Sequence, residues 1–296
     1  MRNKKDQIYY NLMLLPGMIM LFIFAIIPMF GIIMAFQRFV PARGIMGSEF
    51  VGLQNFRQMF MFPDVGQVFF NTVYIAVWKI VLGIIVPVLF ALLLNEVRIS
   101  SFKRVVQTIT YLPHFLSWVI LAAMFSNIFS FTGIINQIVM LFGGEPILFL
   151  VSNTWFRPIL IVTDVWRSFG FGAIIYLAAI TGVDLNLYEA ADIDGATRLQ
   201  KVCYITVPGI KPTIVLMSTL ALGNVLNAGF EQVLTMYSPI VYRTGDIIDT
   251  YVYRMGLINL QFSFGTAVGL LRSAVGFILI VTSYVLADRL AGYRIF

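Results

Sequence analysis

The sequence predicts an all-α membrane protein with six transmembrane helices in a single domain, residues 1–296. Three observations carry this reading. Apolar residues make up 59% of the chain and charged residues 11%, with a mean hydropathy of +0.89; a soluble domain carries about 25% charged and about 45–50% apolar residues. The apolar residues come in runs long enough to cross a bilayer core about 30 Å thick, which takes roughly 20 residues of helix. Lys and Arg are shared unequally between the two sets of connectors, as in a chain oriented by its basic loops.

The first predicted span, about 11–36, follows Arg2, Lys4 and Lys5. The same charge pattern opens a secretory signal peptide, but this apolar stretch is too long for an h-region. It also lacks a small-residue cleavage site, so a retained helix is expected. The remaining spans fall at about 71–94, 106–129, 158–181, 210–229 and 264–286. Pro16, Pro28, Pro87 and Pro113 interrupt several of them. Neighbouring helices in a bundle can satisfy the carbonyls that proline frees, so these residues do not argue against the spans.

With the N-terminus inside, eleven cations fall in the inner connectors, among them Arg98, Lys103, Arg104, Arg198 and Lys201. Six fall in the outer ones, among them Arg38, Arg57 and Arg243. Both termini are therefore expected on the cytoplasmic side. The net charge of +6 has the same origin and does not call for a nucleic-acid partner. One cysteine, Cys203, allows no intrachain disulfide, and with the lone His114 it makes no metal site.

Between the fourth and fifth spans lies a polar, alanine-rich loop, 184–208. It contains Glu189-Ala190-Ala191-Asp192-Ile193-Asp194-Gly195-Ala196, with Pro208 thirteen residues after Gly195. Asp184 or Asn186 is placed to cap a short helix there, and the alanines keep its side chains short. Gly195 would let another backbone approach closely. Leu199, Val202 and Cys203 offer an apolar face leading to Ile205 and Pro208. A plain amphipathic connector would be richer in basic and large apolar residues. Asp192-Ile193-Asp194-Gly195 lacks the later ligands of a calcium loop.

This loop, EAADIDGATRLQKVCYITVP, resembles the E-A-A loop of the membrane subunits of bacterial binding-protein-dependent ABC importers. The resemblance implies a type I importer permease fold with a cytoplasmic coupling helix. It assigns Glu189, Ala190, Ala191, Asp192, Gly195 and Ala196 to the contact with a separate ATPase subunit. It also implies a second, similar permease chain, two cytoplasmic ATPase subunits and an extracytoplasmic substrate-binding protein, in a bacterial inner membrane. Cys203-Tyr204 departs from the family, where many relatives have an aromatic residue first. No G-x-x-x-x-G-K-[ST] occurs, so the sequence offers no P-loop of its own. Gly170-Phe171-Gly172 does not continue as a dinucleotide fingerprint, and no carboxylate pair beside a histidine or serine suggests hydrolysis. ATP and Mg are accordingly expected on the partner ATPase, with no cofactor in this chain and no catalytic residue.

Asn224, Asn227 and Glu231 fall at i, i+3 and i+7, one stripe of a helix if the fifth span continues through them. Polar groups inside a membrane face a cavity or a partner helix. Amide and carboxylate groups with aromatic rings suit a sugar, and Trp166, Tyr176 and Phe230 could supply the rings. The asparagines could equally bind neighbouring helices. The resemblance favours the first use, because the family's sugar-transporting members place substrate contacts on the corresponding helix.

Asp164 and Arg167, at i and i+3, are expected to neutralise each other, while Lys79 and Arg272 could snorkel, pair or line a path. Gly265, Gly269, Ser273 and Gly276 mark a close-packing face. The stretches Gly229–Leu234, Asp249–Arg254 and Phe262–Leu270 resemble the oligo- or polysaccharide-uptake branch of the family, which implies an oligosaccharide substrate. A self-sufficient ion-coupled transporter would need an internal repeat and titratable groups at broken helices, and no convincing repeat is present. A channel would need a filter-like sequence, and none occurs.

Overall fold

A computed structural model describes residues 4–223 and 225–291, with side chains from 9 to 223 and from 225 to 282. The chain divides into two compact units, one reaching to Pro63 and taking in Tyr251–Leu271, the other running over Asp64–Thr250 and on from Arg272.

In the first unit, α1 (Lys4–Leu21) runs on through a π turn at Phe22–Ile26 and a 3-10 segment at Phe30–Phe36. Its apolar side chains, such as Met13 and Phe24, are exposed, as a lipid-facing helix requires. A two-residue antiparallel pair follows, β1 (Gln37–Arg38) with β2 (Glu49–Phe50), in the register Gln37↔Phe50. The buried Asn55, on α2 (Gln54–Met61), fastens this turn by donating to the carbonyls of Ala35 (2.8 Å) and Gln37 (3.0 Å). Part of the predicted glycine face is used here. A Cβ on Gly265 would stand 2.8 Å from the Gly256 Cα. A Cβ added on Gly269 would find open space among the described residues.

In the second unit, α3 (Pro63–Asn95) is longer than the predicted span 71–94 and carries Pro87 inside it. The predicted span 106–129 is not one rod. The helical run Ser100–Phe115, opened by α4 (Ser100–Tyr111), and α5 (Trp118–Ile128) meet at 105°. Pro113 and the extended backbone at Leu116 and Ser117 interrupt the helix, and the Ser117 hydroxyl accepts the Ile120 N–H to cap the new one. Arg167 closes the break by donating to the freed carbonyls of His114 (3.2 Å) and Leu116 (3.1 Å). Its guanidinium also lies over the Trp118 ring. Arg167 therefore does not neutralise Asp164, as its spacing had suggested; an i, i+3 pair on one helix lost to two bare carbonyls on another.

The helix α6 (Ile134–Leu141) precedes α7 (Phe156–Thr181), the hub of this unit. Ile159, Leu160 and Phe156 of α7 pack with Ile75, Leu121, Val233 and Ile247, and Ala173, Tyr176 and Ile180 pack with Ala91 and Ile210. Gly170 permits one very close approach: a Cβ there would overlap the Thr110 carbonyl. The loop helices α8 (Leu185–Ile193) and α9 (Arg198–Lys201) lead through a π turn at Val202–Thr206 into α10 (Val207–Leu222). The helix stops at Leu222, well short of the predicted 229. The chain turns at Gly229, whose φ of +93° is in the left-handed region, and α11 (Phe230–Met236) begins. Asn227 and Glu231 thus lie on different elements rather than on one helical stripe. Downstream come α12 (Ile248–Val252) and α13 (Phe262–Ala291).

Candidate functional site

The polar loop is built by its own capping residues. Asp184 accepts the Asn186 backbone N–H at 2.9 Å and opens α8. At the other end Gly195, with φ +75°, lets Ala196 N–H reach the Ala191 carbonyl (2.9 Å) and Gly195 N–H reach the Asp192 carbonyl (3.1 Å). That is a Schellman closure, which places glycine in the left-handed position. Among the described residues, nothing beyond its own chain neighbours lies within 4 Å of where a Gly195 Cβ would sit. Among the described residues, then, Gly195 serves the turn and admits no neighbouring backbone.

The loop is also tied back on itself. Thr197 and Gln200 form a capping box at the start of α9. Lys201 forms an ion pair with Asp192. The Tyr188 and Thr206 hydroxyls are 2.8 Å apart, fixing α8 to the π turn that leads into α10. What remains faces outward: Leu185, Ile193, Leu199 and Tyr204 are exposed, as are Glu189, Ala190 and Asp192, with Ala191 and Ala196 partly covered. The loop thus presents small residues and exposed apolar side chains together on its outside.

A cavity of about 380 Å³ opens in the second unit, lined by Lys79, Asp164, Tyr176, Met217, Asn227 and Gly229 among others. Lys79 comes from the middle of α3, where an unpaired ammonium would be expensive in lipid. It donates to the Ala228 carbonyl (2.7 Å) and to Gln232 Oε1, and the Asp164 carboxylate lies 3.5 Å away. Gln232 is fully buried and donates in turn to the Leu160 carbonyl (2.8 Å) and Thr163 Oγ1 (2.9 Å). The cavity wall thus carries an ammonium, a carboxylate, an amide and a phenol, of which the ammonium is held in a hydrogen-bonded network. Such a wall suits a polyhydroxylated ligand, which needs both donors and acceptors.

The structure brings Asn227 and Tyr176 together on this cavity. Trp166 sits apart, with its ring edge-to-face with Phe125 at 5.5 Å. Glu231 is exposed in the first turn of α11, away from the cavity lining, and Phe230 opens the same helix. Asn224 lies outside the described residues. Sequence reasoning left Lys79 among several options and passed over Gln232. A lysine deep in a long apolar run was the signal for the first. The second had no signal beyond standing next to Glu231.

A family model for a binding-protein-dependent transport system inner membrane component matches residues 79–293, a range that takes in Lys79, the polar loop and Asn227. The chain belongs to this family. The permease is 46% identical, over 97% of its length and 88% of the relative's, to the polygalacturonan/rhamnogalacturonan transport system permease protein YteP of Bacillus subtilis (strain 168). It is 30% identical, over 85% of its length and 78% of the relative's, to the arabinooligosaccharides transport system permease protein AraP of Halalkalibacterium halodurans. Its fold matches a chain in the crystal structure of a bacterial ABC transporter involved in the import of the acidic polysaccharide alginate. That match has a TM-score of 0.88, 36% identity and coverage of 97% of each chain. A chain in the crystal structure of a bacterial alginate ABC transporter in complex with an alginate pentasaccharide-bound periplasmic protein also matches, with a TM-score of 0.88. The architecture is that of a type I ABC importer permease, a membrane subunit without catalytic chemistry whose ATPase is a separate polypeptide.

Proposed function

We propose that this permease forms half of the membrane pathway of an ATP-driven importer carrying an acidic oligosaccharide from an extracytoplasmic binding protein into the cytoplasm. The observation that carries the reading is the cavity where Asn227 and Tyr176 meet the Lys79–Asp164 pair. Two of the similar proteins act on polygalacturonan and on alginate, and a chain of uronate units would find both hydroxyl-binding groups and an ammonium here.

The partners are a second permease of the same family, two ABC ATPase subunits that bind ATP and Mg, and the binding protein. Both termini and the 184–208 loop face the cytoplasm. Glu189, Ala190, Ala191, Asp192, Gly195 and Ala196 seat α8 in the ATPase. ATP binding draws the ATPases together and moves α8 as a rigid piece, and the Tyr188–Thr206 bond passes that motion to α10. The bundle then turns outward and accepts the sugar.

Uptake into proteoliposomes holding the complete complex tests this reading. Labelled oligogalacturonate or oligoalginate should accumulate when ATP and the loaded binding protein are both present. Accumulation of an amino acid or an inorganic ion, with no saccharide taken up, would overturn it.

A further inference from the structure

The break after Leu222 frees backbone carbonyls at membrane depth, where bare carbonyls are costly. Two cations from different helices take two of them. Lys79 of α3 donates to Ala228 O at 2.7 Å, and Arg272 of α13 donates to Leu226 O at 3.1 Å. Each cation has its own carboxylate, Asp164 at 3.5 Å for Lys79 and Asp249 at 2.8 Å for Arg272. Leu226 and Ala228 are buried, while Asn227 between them is exposed and lines the cavity. Gly229 completes the arrangement: a Cβ there would stand 2.8 Å from the Lys79 ammonium, and its φ of +93° disfavours any other residue.

We infer that Lys79–Asp164 and Arg272–Asp249 act as a two-sided carbonyl clamp. The clamp holds residues 225–229 unwound and so presents Asn227 to the transported sugar. The alternation is what makes the clamp specific. The Leu226 and Ala228 carbonyls belong to the peptides on either side of Asn227, so holding both limits the backbone rotations that would turn its side chain away. The four charged residues are positioning residues acting through the backbone. Lys79 and Asp164 also border the cavity, whereas Arg272 and Asp249 do not line it, and this separates positioning from direct contact. The inference rests on the proposed sugar path for its purpose, though the clamp itself can be tested without any substrate.

Hydrogen–deuterium exchange of the purified full complex reads the clamp, comparing wild type with Arg272→Leu and Lys79→Met. Each variant should speed exchange of peptides spanning 225–232 by about tenfold, equivalent to about 1.4 kcal/mol, and Arg272→Leu should leave peptides from 156–181 unchanged. Arg272→Lys, which keeps a donor, should restore most of the protection. In the same Arg272→Leu complex, the saccharide concentration giving half-maximal stimulation of ATP hydrolysis should rise while the maximal rate is kept. Unchanged exchange at 225–232 in both variants would overturn the clamp. So would faster exchange spread equally over 156–181 in Arg272→Leu, which marks a general loosening. A clamp that passes this exchange test, in a complex that no saccharide stimulates, would leave the clamp standing and count against the sugar assignment alone.

Discussion

Tyr188 and Thr206 share a hydrogen bond of 2.8 Å between their hydroxyls, linking the exposed helix 185–193 to the π turn that feeds the helix 207–222. It is a side-chain link across eighteen residues of loop, so a push on one end reaches the other without bending the segment between. Tyr188→Phe keeps the ring and removes the bond. A neutral hydrogen bond is worth about 0.5–1.5 kcal/mol, so transport per ATP hydrolysed should fall by roughly two- to twelvefold. Uptake and ATP hydrolysis measured on the same proteoliposomes check this; unchanged coupling would show that the bond transmits nothing.

Gly195 distinguishes a backbone requirement from a contact requirement. Its left-handed φ disfavours alanine by about 1–2 kcal/mol and is tolerated by asparagine. Gly195→Asn should therefore retain more transport than Gly195→Ala, although its side chain is larger. Gly195→Trp adds a ring at the proposed ATPase seat and should abolish uptake, with membrane insertion normal. If asparagine is worse than alanine, close approach of the ATPase rather than the turn sets the need for glycine.

Gly170 is packed where a methyl group would overlap the Thr110 carbonyl, and backbone cannot move aside as a flexible side chain can. Gly170→Ala should destabilise the permease by about 1–3 kcal/mol, the usual range for overpacking. Gly66→Ala, on a helix with nothing within 4 Å, is the matched control and should not lower the melting temperature of the detergent-solubilised complex. Equal melting temperatures for the two variants would contradict the close contact.

The long apolar runs made the helices legible, because a run of that length has few alternatives in or out of a membrane. The N-cap of the polar loop was legible for a similar reason, since Asp184 acts on its immediate neighbours, whereas Gly195 was read as room for another backbone and instead closes the turn. The other failures involve partners distant in sequence. Asp164 looked paired with Arg167 three residues on, yet it faces Lys79 from another helix, while Arg167 serves the bend at Leu116. The 105° break after Phe115 left only Pro113 as a hint, since the residues on both sides stay apolar. Asn227 and Glu231 looked like one stripe because helical periodicity was assumed to continue past Gly223, and nothing local shows that two remote cations hold the chain unwound there. Tyr176 was named for its ring and Asn227 for its place on the supposed stripe, but only the fold puts them on one cavity with Lys79.

The cavity lining divides the predicted polar residues into two groups with different expected behaviour. Asn227→Ala should raise the saccharide concentration for half-maximal stimulation of ATP hydrolysis by roughly two- to twelvefold, the effect of one lost hydrogen bond. Glu231→Ala, exposed and away from the lining, should change it little. If Asn227→Ala instead lowers complex yield and leaves the saccharide response alone, the asparagine binds helices and not sugar.

The assignment as an acidic-oligosaccharide permease is tested by substrate-stimulated ATP hydrolysis of the reconstituted complex, with binding protein, across a panel of uronate and neutral oligosaccharides. Stimulation by uronate oligosaccharides, weak or absent with neutral ones of equal length, is the predicted result. Stimulation by neutral oligosaccharides alone, or by none of the panel while the complex hydrolyses ATP normally, would contradict it.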